Sequence, residues 1–346
     1  MKSTNLSFVD LFAGAGGLSL GLEQAGFNPV FVNELNPDAM ESYLMNRRDK
    51  FPYLDRFHEF DIKTVASANY AKRLKDRLKS THGIDCDNND LDLIAGGPPC
   101  QGFSGIGHRR SYSVAKDQLP SNFLYEDMIF VIKKLKPKLF LFENVRGIKQ
   151  FKNWQEIDKA FSGIKNYHIT TDLIHSKYYG APQNRPRIFI VGVHKDLGKT
   201  PDDFNISPAG GFLPPISNDY PNICDLLDDL VDDEYINGGE TINYPKPVTT
   251  DHQRLLRHNP LTGKPYRKGA ALSEHKYTKH SENIIKKFKY MIENNGQIKD
   301  KHKTNKFAQR LLPRTWGEGG PSITITSLPD DFVHHCQPRI LTVREW

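Results

Sequence analysis

Short apolar segments alternate with helical patterns through the first 195 residues of the 346-residue chain. Near-continuous apolar strands separated by helices are typical of a parallel sheet that is covered on both faces. The sequence therefore predicts an α/β fold with a doubly wound, mainly parallel sheet, whose ligand would bind at the carboxyl ends of the strands. The predicted strands are Ser7–Phe12, Val30–Val32, Leu91–Ala95, Leu139–Phe142 and Arg187–Val193, and the predicted helices are Leu18–Ala25, ended by Gly26, and one beginning at Pro37.

After residue 195 the periodicity weakens and the charges segregate. Residues 201–240 carry ten acidic and no basic residues, whereas residues 241–310 carry 16 basic and five acidic residues. Such a basic block is typical of a polyanion-binding surface, although a solvated face that aids solubility has the same composition. We therefore predict two domains, residues 1–195 and residues 196–346. The second is smaller and irregular, contains a helix near Ser281–Asn294, and serves for contact with a partner.

Several classes of protein are disfavoured by what the chain lacks. Its apolar runs fall short of the ~20 residues that a membrane-spanning helix needs, and its first five residues show no secretory signal. Four cysteines, Cys86, Cys100, Cys224 and Cys336, lie far apart and form no C-x-x-C pair. Neither a zinc ribbon nor a disulfide scaffold is expected, so no metal site is predicted. A reduced cytoplasmic setting without a membrane fits this composition best.

A glycine-rich turn and two acids favour an adenosine-bearing ligand. Gly14 and Gly16 follow the first strand, where they allow the backbone to approach a ligand closely. Glu34 ends the second strand, where a carboxylate can accept hydrogen bonds from ribose hydroxyls. Asp61 follows the next apolar stretch and could accept from an adenine amino group. Each acid alone is more often a helix cap or a surface residue, and only the two together favour the ligand.

The segment Gly96–Ser104 follows the Leu91–Ala95 strand and contains two prolines before Cys100. Prolines fix φ while glycines permit unusual backbone angles, so such a loop holds its cysteine rigidly. A nucleophilic cysteine must be accessible and reach the thiolate form. The alternative, a small buried side chain, suits Cys86 or Cys224 better.

Glu143 ends the Leu139–Phe142 strand and would face the same edge of the sheet as the cysteine loop. A nucleophile with a nearby acid is a minimal covalent catalyst. Gln183, Arg185 and Arg187 alternate into the last strand, which predicts that they share one face. Their face could hold the cysteine and the acid against the loop or against a substrate, or it could be an exposed sheet edge.

Taken together, these segments resemble the cytosine-C5 DNA methyltransferase family in order and spacing over nearly the whole chain. The resemblance is carried by Asp10–Gly17, Gly97–Ser104, Glu143–Val145, Gln183-x-Arg185-x-Arg187 and Arg339–Glu345. It implies a Rossmann-like methyltransferase fold with a target-recognition domain that ends at the last motif. Within that motif, Arg339 and Arg344 would contact the backbone or a neighbouring loop, or brace the domain internally.

The resemblance also implies S-adenosyl-L-methionine as methyl donor, S-adenosylhomocysteine as product, and a cytosine flipped out of double-stranded DNA as acceptor. Glu34 would hold the ribose, Asp61 and Ile62 the adenine, while Pro98 and Leu124 would close the site. The full predicted donor pocket is Phe12, Gly14, Gly16, Gly17, Leu18, Glu34, Asp61, Ile62, Pro98 and Leu124. Such an enzyme would belong to a restriction-modification system and act in the bacterial cytosol.

By the same resemblance, Cys100 would attack C6 of the base and make C5 nucleophilic enough to take the methyl group. Glu143 would bond to the N3 edge and the amino group of the cytosine. Arg187 would reach the carbonyl-oxygen side of the ring, and Arg185 would support the loop.

Two alternatives remain open: an RNA (tRNA) cytosine-5 methyltransferase, and a catalytically silent DNA-binding subunit that needs a partner chain. The basic region favours DNA, and the intact Pro-Cys loop argues against a silent subunit. Family members continue past the Arg344-Glu345 pair into a segment with a Gly-Asn motif, which has no match here. Three origins stay open: a natural split in which a second polypeptide supplies that segment, a truncated chain, or an incomplete sequence. In each case we expect this chain alone to bind donor weakly and be poorly active.

Overall fold

A computed structural model describes residues 6–99, 120–150, 154–200, 203, 216–217, 219–258, 264–300, 309–322 and 331–346. The chain groups into two compact units, Met1–Ile174 with Pro186–Pro215, and His175–Arg185 with Ile216–Trp346. The predicted division falls after residue 195. In the structure, residues 175–185 belong instead to the second unit and residues 196–215 to the first. The functional boundary therefore stays a prediction.

A seven-stranded sheet forms the first unit, in the order β3-β2-β1-β4-β5-β7-β6. Its strands are β1 (Leu6–Leu11), β2 (Phe27–Asn33), β3 (His58–Glu59), β4 (Leu93–Gly96), β5 (Leu139–Val145), β6 (Tyr167–His175) and β7 (Pro186–His194). Neighbours from β3 to β5 pair in parallel, whereas β7 runs antiparallel to β5. The predicted mainly parallel α/β sheet is confirmed, with all five predicted strands present.

Both faces of this sheet are covered, because successive residues of a strand point to opposite sides. On β1, Phe8 packs in a cluster with Leu18 and Leu22 of the first helix. Its neighbour Val9 packs in the larger cluster on the other face, which includes Phe31. This double coverage explains why the strands read as continuous apolar runs.

The helices of the first unit begin and end at residues with clear local causes. Pro37 occupies the first turn of the second helix, and the Asn36 side chain caps it by accepting from two backbone N–H groups at 2.9 and 3.1 Å. Gly26, with φ of 92°, follows the end of the first helix, as predicted. The helices are α1 (Gly17–Gln24), α2 (Pro37–Met45), α3 (Ile62–Val65), α4 (Ala68–His82), α5 (Leu124–Leu135) and α6 (Trp154–Ser162). In the part of the chain that the structure describes, every helix is too short or too polar to span a bilayer.

The second unit has little regular structure, as its weak periodicity predicts. It contains α7 (Ile223–Leu227), α8 (Asp251–Leu256), α9 (Glu282–Glu293), β8 (Arg310–Leu311) and β9 (Phe332–Val333). The predicted helix near Ser281–Asn294 is confirmed, since these two residues are the caps of α9. Small apolar clusters around Phe288 and Phe332 form its core.

A buried ion pair braces the end of the second unit. Arg339 is fully buried and donates to both carboxylate oxygens of Glu345 at 2.7 and 2.6 Å. Burial alone would raise the pKa of Glu345, but the hydrogen-bonded Arg339 guanidinium and the nearby His334 imidazole hold that pKa well below its usual value. Arg344 is different: it is exposed and donates to the backbone and hydroxyl oxygens of Ser273. Arg339 is therefore an internal brace, while Arg344 contacts a neighbouring loop.

We expect Arg339→Met to lower the free energy of unfolding by roughly 3–5 kcal/mol, because it leaves the Glu345 charge buried without its partner. Arg344→Met, at an exposed position of the same segment, should lower the free energy of unfolding by less than about 1 kcal/mol. Urea unfolding of both variants measures the difference. Similar small losses for the two variants would contradict the assigned brace, whereas partial recovery in Arg339→Met with Glu345→Leu would support it.

Candidate active site

A cavity of about 470 Å³ lies at the carboxyl ends of β1, β2 and β4 in the first unit. Its size is typical of a small-molecule site, and its place is where a doubly wound sheet binds ligand. Five of the predicted donor residues line it: Phe12, Glu34, Asp61, Ile62 and Leu124. The other lining residues are Asn33, Leu35, Asn36, Phe60, Gly97 and Pro99.

The glycine-rich turn after β1 adopts a backbone that favours glycine. Gly14 and Gly16 have φ of 57° and 91°, and Phe12 also lies in the left-handed region, with φ of 56°. A Cβ on Gly16 would lie 2.6 Å from Nη1 of Arg47, so a side chain there would collide with its neighbour. A Cβ on Gly14 or Gly17 would meet no atom within 4 Å. The outer side of the turn is therefore open to a ligand.

Glu34 ties the glycine turn to the start of α2. Its Oε2 accepts from the Gly14 N–H and its Oε1 from the Asn36 N–H, both at 2.8 Å. A carboxylate oxygen has two lone pairs, so each of the two Glu34 oxygens can accept a further hydrogen bond from a ligand hydroxyl. The carboxylate is thus fixed at the cavity wall and oriented before any ligand arrives.

The remaining predicted donor residues have different surroundings. Asp61 caps α3 by accepting from the Lys63 N–H at 2.8 Å and also lines the cavity, so the cap is compatible with the predicted ligand role. The Pro98 carbonyl accepts a hydrogen bond from Asn144. Leu18 packs against the apolar cluster of Phe8, Leu93 and Ala95. The roles of all these residues toward the donor stay predictions.

A buried polar network lies beneath the glycine turn. Asp10 is 1% exposed and accepts a hydrogen bond from the Ser19 hydroxyl. Arg47 donates to Oε1 of Glu23 at 2.6 Å and to the Gly16 carbonyl at 3.0 Å. Burial raises the pKa of Asp10 to about 7, although Ser19 and Arg47 partly offset it. This carboxyl therefore favours its neutral form inside the fold.

This raised pKa predicts a pH dependence of stability. The folded pKa lies above the unfolded value, so the contribution of Asp10 is full below about pH 4 and is lost as pH rises through about 7. Between pH 5 and pH 8 the wild type should lose roughly 2 to 3 kcal/mol relative to Asp10→Asn. Urea unfolding of both proteins at the two pH values measures this. Parallel stability curves would contradict the raised pKa.

The end of β5 carries the predicted acid and its partner. The guanidinium Nε of Arg187, on β7, lies 2.8 Å from Oε1 of Glu143. The antiparallel register opposes Arg187 to Val145, which places it beside the acid. A Cβ on Gly97 would lie only 3.2 Å from Oε2 of Glu143, so the cysteine loop passes directly by the carboxylate. Cys100, the predicted nucleophile, lies outside the described residues.

The predicted shared face of Gln183, Arg185 and Arg187 is wrong. Strand β7 begins only at Pro186, and proline has no N–H for the ladder. In the segment before β7, the Ser176 hydroxyl donates to the Gln183 carbonyl at 2.6 Å and accepts from the Arg185 N–H at 3.1 Å. These two hydrogen bonds close a loop. The Arg185 side chain is exposed, and its supporting role stays a prediction.

Two asparagines beside the predicted acids were not assigned a role from the sequence. Asn144 donates to the Pro98 carbonyl at 3.0 Å and so fixes the start of the cysteine loop on β5. Asn33 donates to the carbonyls of Glu59 and Phe60, both at 2.9 Å, and ties β2 to the segment that ends β3. Their only signal in the sequence is that each lies next to a predicted acid at a strand end.

Comparison with known proteins places this site in a family. The sequence profile of the family described as C-5 cytosine-specific DNA methylase matches residues 6–346. The Type II methyltransferase M.XorII of Xanthomonas oryzae is 36% identical over 193 residues, which cover 55% of this chain and 41% of that protein. M1.HphI of Haemophilus parahaemolyticus is 25% identical over 352 residues, which cover 99% of this chain and 76% of that protein.

A crystal structure from E. coli, whose name describes a prophage-encoded DNA modification methyltransferase, shares the fold. It has a TM-score of 0.62 and 24% identity, and the match covers 98% of this chain and 86% of that chain. This chain spans 41%, 57% and 60% of the length of three curated relatives. Because the family profile matches nearly the whole sequence, the chain belongs to the C-5 cytosine-specific DNA methylase family.

Proposed function

We propose that this chain is a DNA cytosine-5 methyltransferase of the restriction-modification type. It would transfer a methyl group from S-adenosylmethionine to a cytosine flipped out of a specific duplex sequence. The observation that carries the proposal is the Glu143–Arg187 pair, 2.8 Å apart beside the loop that leads to Cys100. A carboxylate and a guanidinium together offer polar groups for the N3 and amino edge and for the carbonyl of one cytosine ring.

The residues of the cavity fit the proposed donor. Glu34 presents a fixed carboxylate for ribose hydroxyls, and Asp61 with Ile62 offers an acceptor and an apolar wall for adenine. Leu35 and Phe60 line the cavity while 73% and 40% exposed, so a bound ligand would cover apolar surface. When bound, the donor supplies an electrophilic methyl group, and S-adenosylhomocysteine is the product that leaves.

The proposed chemistry of the acceptor depends on Cys100. C5 of cytosine is a poor nucleophile until C6 is attacked, so addition of the Cys100 thiolate across the C5–C6 double bond splits one hard step into two. After the methyl group is transferred to C5, loss of the C5 proton would restore the double bond and release the sulfur. Glu143 would bond to the N3 edge and the amino group, and Arg187 would reach the carbonyl oxygen of the ring. The base must leave the helical stack to reach these groups, at a cost of about a few kcal/mol.

The second unit is proposed to bind the DNA duplex. Residues 241–310 carry 16 basic and five acidic residues, which suits contacts with phosphates and predicts salt-sensitive binding. Phosphate contacts set the position of the protein, while side chains that reach base edges set the sequence specificity.

Methyl transfer to duplex DNA and to tRNA tests this function directly. The full chain is incubated with donor carrying a labelled methyl group and with each nucleic acid in turn. We expect label in 5-methylcytosine of the DNA, at the low rate expected of this chain alone, and only background in the tRNA. Label in the tRNA alone would replace the proposal with an RNA methyltransferase, and a chain that binds DNA without transferring label would indicate a silent subunit.

A further inference from the structure

Metal-binding side chains converge within the second unit. Cys224 and Asp228 are four residues apart on α7 and its C-cap, so they lie on one helical face. His335 follows β9, and its Nε2 lies 3.0 Å from Oδ1 of Asp228. One ligand atom from each of these three side chains lies within 4.8 Å of the other two.

The two adjacent histidines differ in how the fold uses them. The Nδ1 of His334 accepts from the backbone N–H groups of Cys336 and Gln337 at 3.2 Å, and its Nε2 lies 3.4 Å from Glu345. The His335 side chain is fully buried, and its Nδ1 has no hydrogen-bond partner in the residues that the structure describes. The His334 imidazole faces Glu345 and the backbone of its own turn, whereas the His335 imidazole faces Asp228. Among the described residues, each keeps one buried ring nitrogen without a hydrogen-bond partner.

A fourth side chain that can bind a metal ion, the thiol of Cys336, lies close by. Cys336 is the next residue after His335, and its side chain and Asp228 line the same open cavity, of about 430 Å³. Lys246 and Arg314 line this cavity as well, so solvent can reach Asp228 and Cys336 there. The Cys336 sulfur also lies within 4.8 Å of a ring nitrogen of His335, which places a second thiol beside the cluster. Zinc prefers four tetrahedral ligands drawn from thiolate sulfur, imidazole nitrogen and carboxylate oxygen.

We propose that Cys224, Asp228 and His335 bind a zinc ion, with Cys336 completing the tetrahedral set. Each thiol that binds would release its proton to solvent. The absence of a C-x-x-C pair predicts that the chain has no metal site. The proposed ligands escape that pattern, because Cys224 and Asp228 are four residues apart on a helix while His335 lies more than 100 residues further along the chain. The bound ion would join α7 to the segment that carries the Arg339–Glu345 brace.

The exposed guanidinium of Arg314 supplies a sharper test of this site. It lines the same cavity as Asp228 and Cys336, so its positive charge would oppose a cation bound there. Because the side chain is exposed, it can turn into solvent when the ion binds. Arg314→Gln should therefore bind zinc several-fold more tightly, an effect that a purely structural thiol cluster would not show.

The test titrates the metal-stripped, reduced full chain with Zn²⁺ against a chromophoric chelator, and separately with Co²⁺. We expect one equivalent of zinc and a thiolate-to-cobalt charge-transfer absorption band. Cys224→Ser and His335→Gln should weaken zinc binding by at least about 10-fold. Cys86→Ala, which removes a buried thiol in the first unit, should leave it unchanged.

Circular dichroism of the metal-free variants shows whether each has kept its fold. If the His335→Gln variant does not fold, the comparison with the wild type relies on Cys224→Ser, because Cys224 is only half-buried. Thermal unfolding then serves as a second readout. Zinc should raise the Tm of the wild type and not that of Cys224→Ser. The proposal is overturned if the wild type binds no stoichiometric zinc, or if the Cys224→Ser and Cys86→Ala variants bind it equally. None of these measurements depends on methyl transfer.

Discussion

Cys100→Ala is expected to reduce methyl transfer to the background of the assay. Removal of a covalent nucleophile costs on the order of 10⁶-fold in another enzyme that acts through a covalent intermediate. The loss here should be as complete, because C5 of the cytosine cannot be activated without attack at C6. Rates of label transfer to duplex DNA under saturating donor and DNA measure the effect.

The matched control for this variant is Cys86→Ala, which removes a thiol that is buried in the core of the first unit. Burial raises the pKa of the Cys86 thiol to about 11, so it does not supply a thiolate at neutral pH. The control should retain most of the wild-type rate. Comparable rates for wild type and Cys100→Ala would remove Cys100 from the mechanism.

Glu143→Gln is expected to lower kcat by roughly 10²–10⁴-fold, the range for loss of a positioned acid or base. The substitution keeps the shape of the side chain but removes the charge that pairs with Arg187. Donor binding should change little, because the cavity lining in the first unit includes Gly97 but not Glu143. Separate measurement of kcat and of the donor Kd distinguishes the two effects.

Glu126→Gln, on the exposed side of α5, is the matched control and should leave both quantities unchanged. A kcat within about threefold of wild type in Glu143→Gln would contradict its assignment, since a positioned acid contributes far more. A donor Kd that rises in parallel with the loss of kcat would instead place Glu143 in the donor site.

Much of the first unit can be predicted from the sequence because its strands are buried on both faces. The β1 and β4 segments are apolar runs, and the residues that follow them meet at one edge of the sheet. The two strands that were not predicted lack this signal. β3 is only two residues long, and β6 mixes polar residues along a partly exposed strand at the edge of the sheet.

Contacts across large sequence separations are what the sequence could not reveal. Charged residues are rarely fully buried, so nothing in the composition marks Arg339 as one of the largest fully buried side chains among the described residues. Arg47 lies 31 residues from the Gly16 carbonyl that it supports. The face predicted for Gln183 and Arg185 failed for a related reason, since the hydroxyl of Ser176 closes the loop before the strand begins.

The most direct measurement of the central claim is covalent trapping on duplex DNA in which 5-fluorocytosine replaces the target cytosine. The full chain is incubated with this DNA and donor, denatured, digested and analysed by mass spectrometry. The proposed mechanism predicts a donor-dependent, denaturant-resistant adduct on the peptide that contains Cys100. An adduct on a different residue, or an adduct of equal yield in Cys100→Ala, would contradict it.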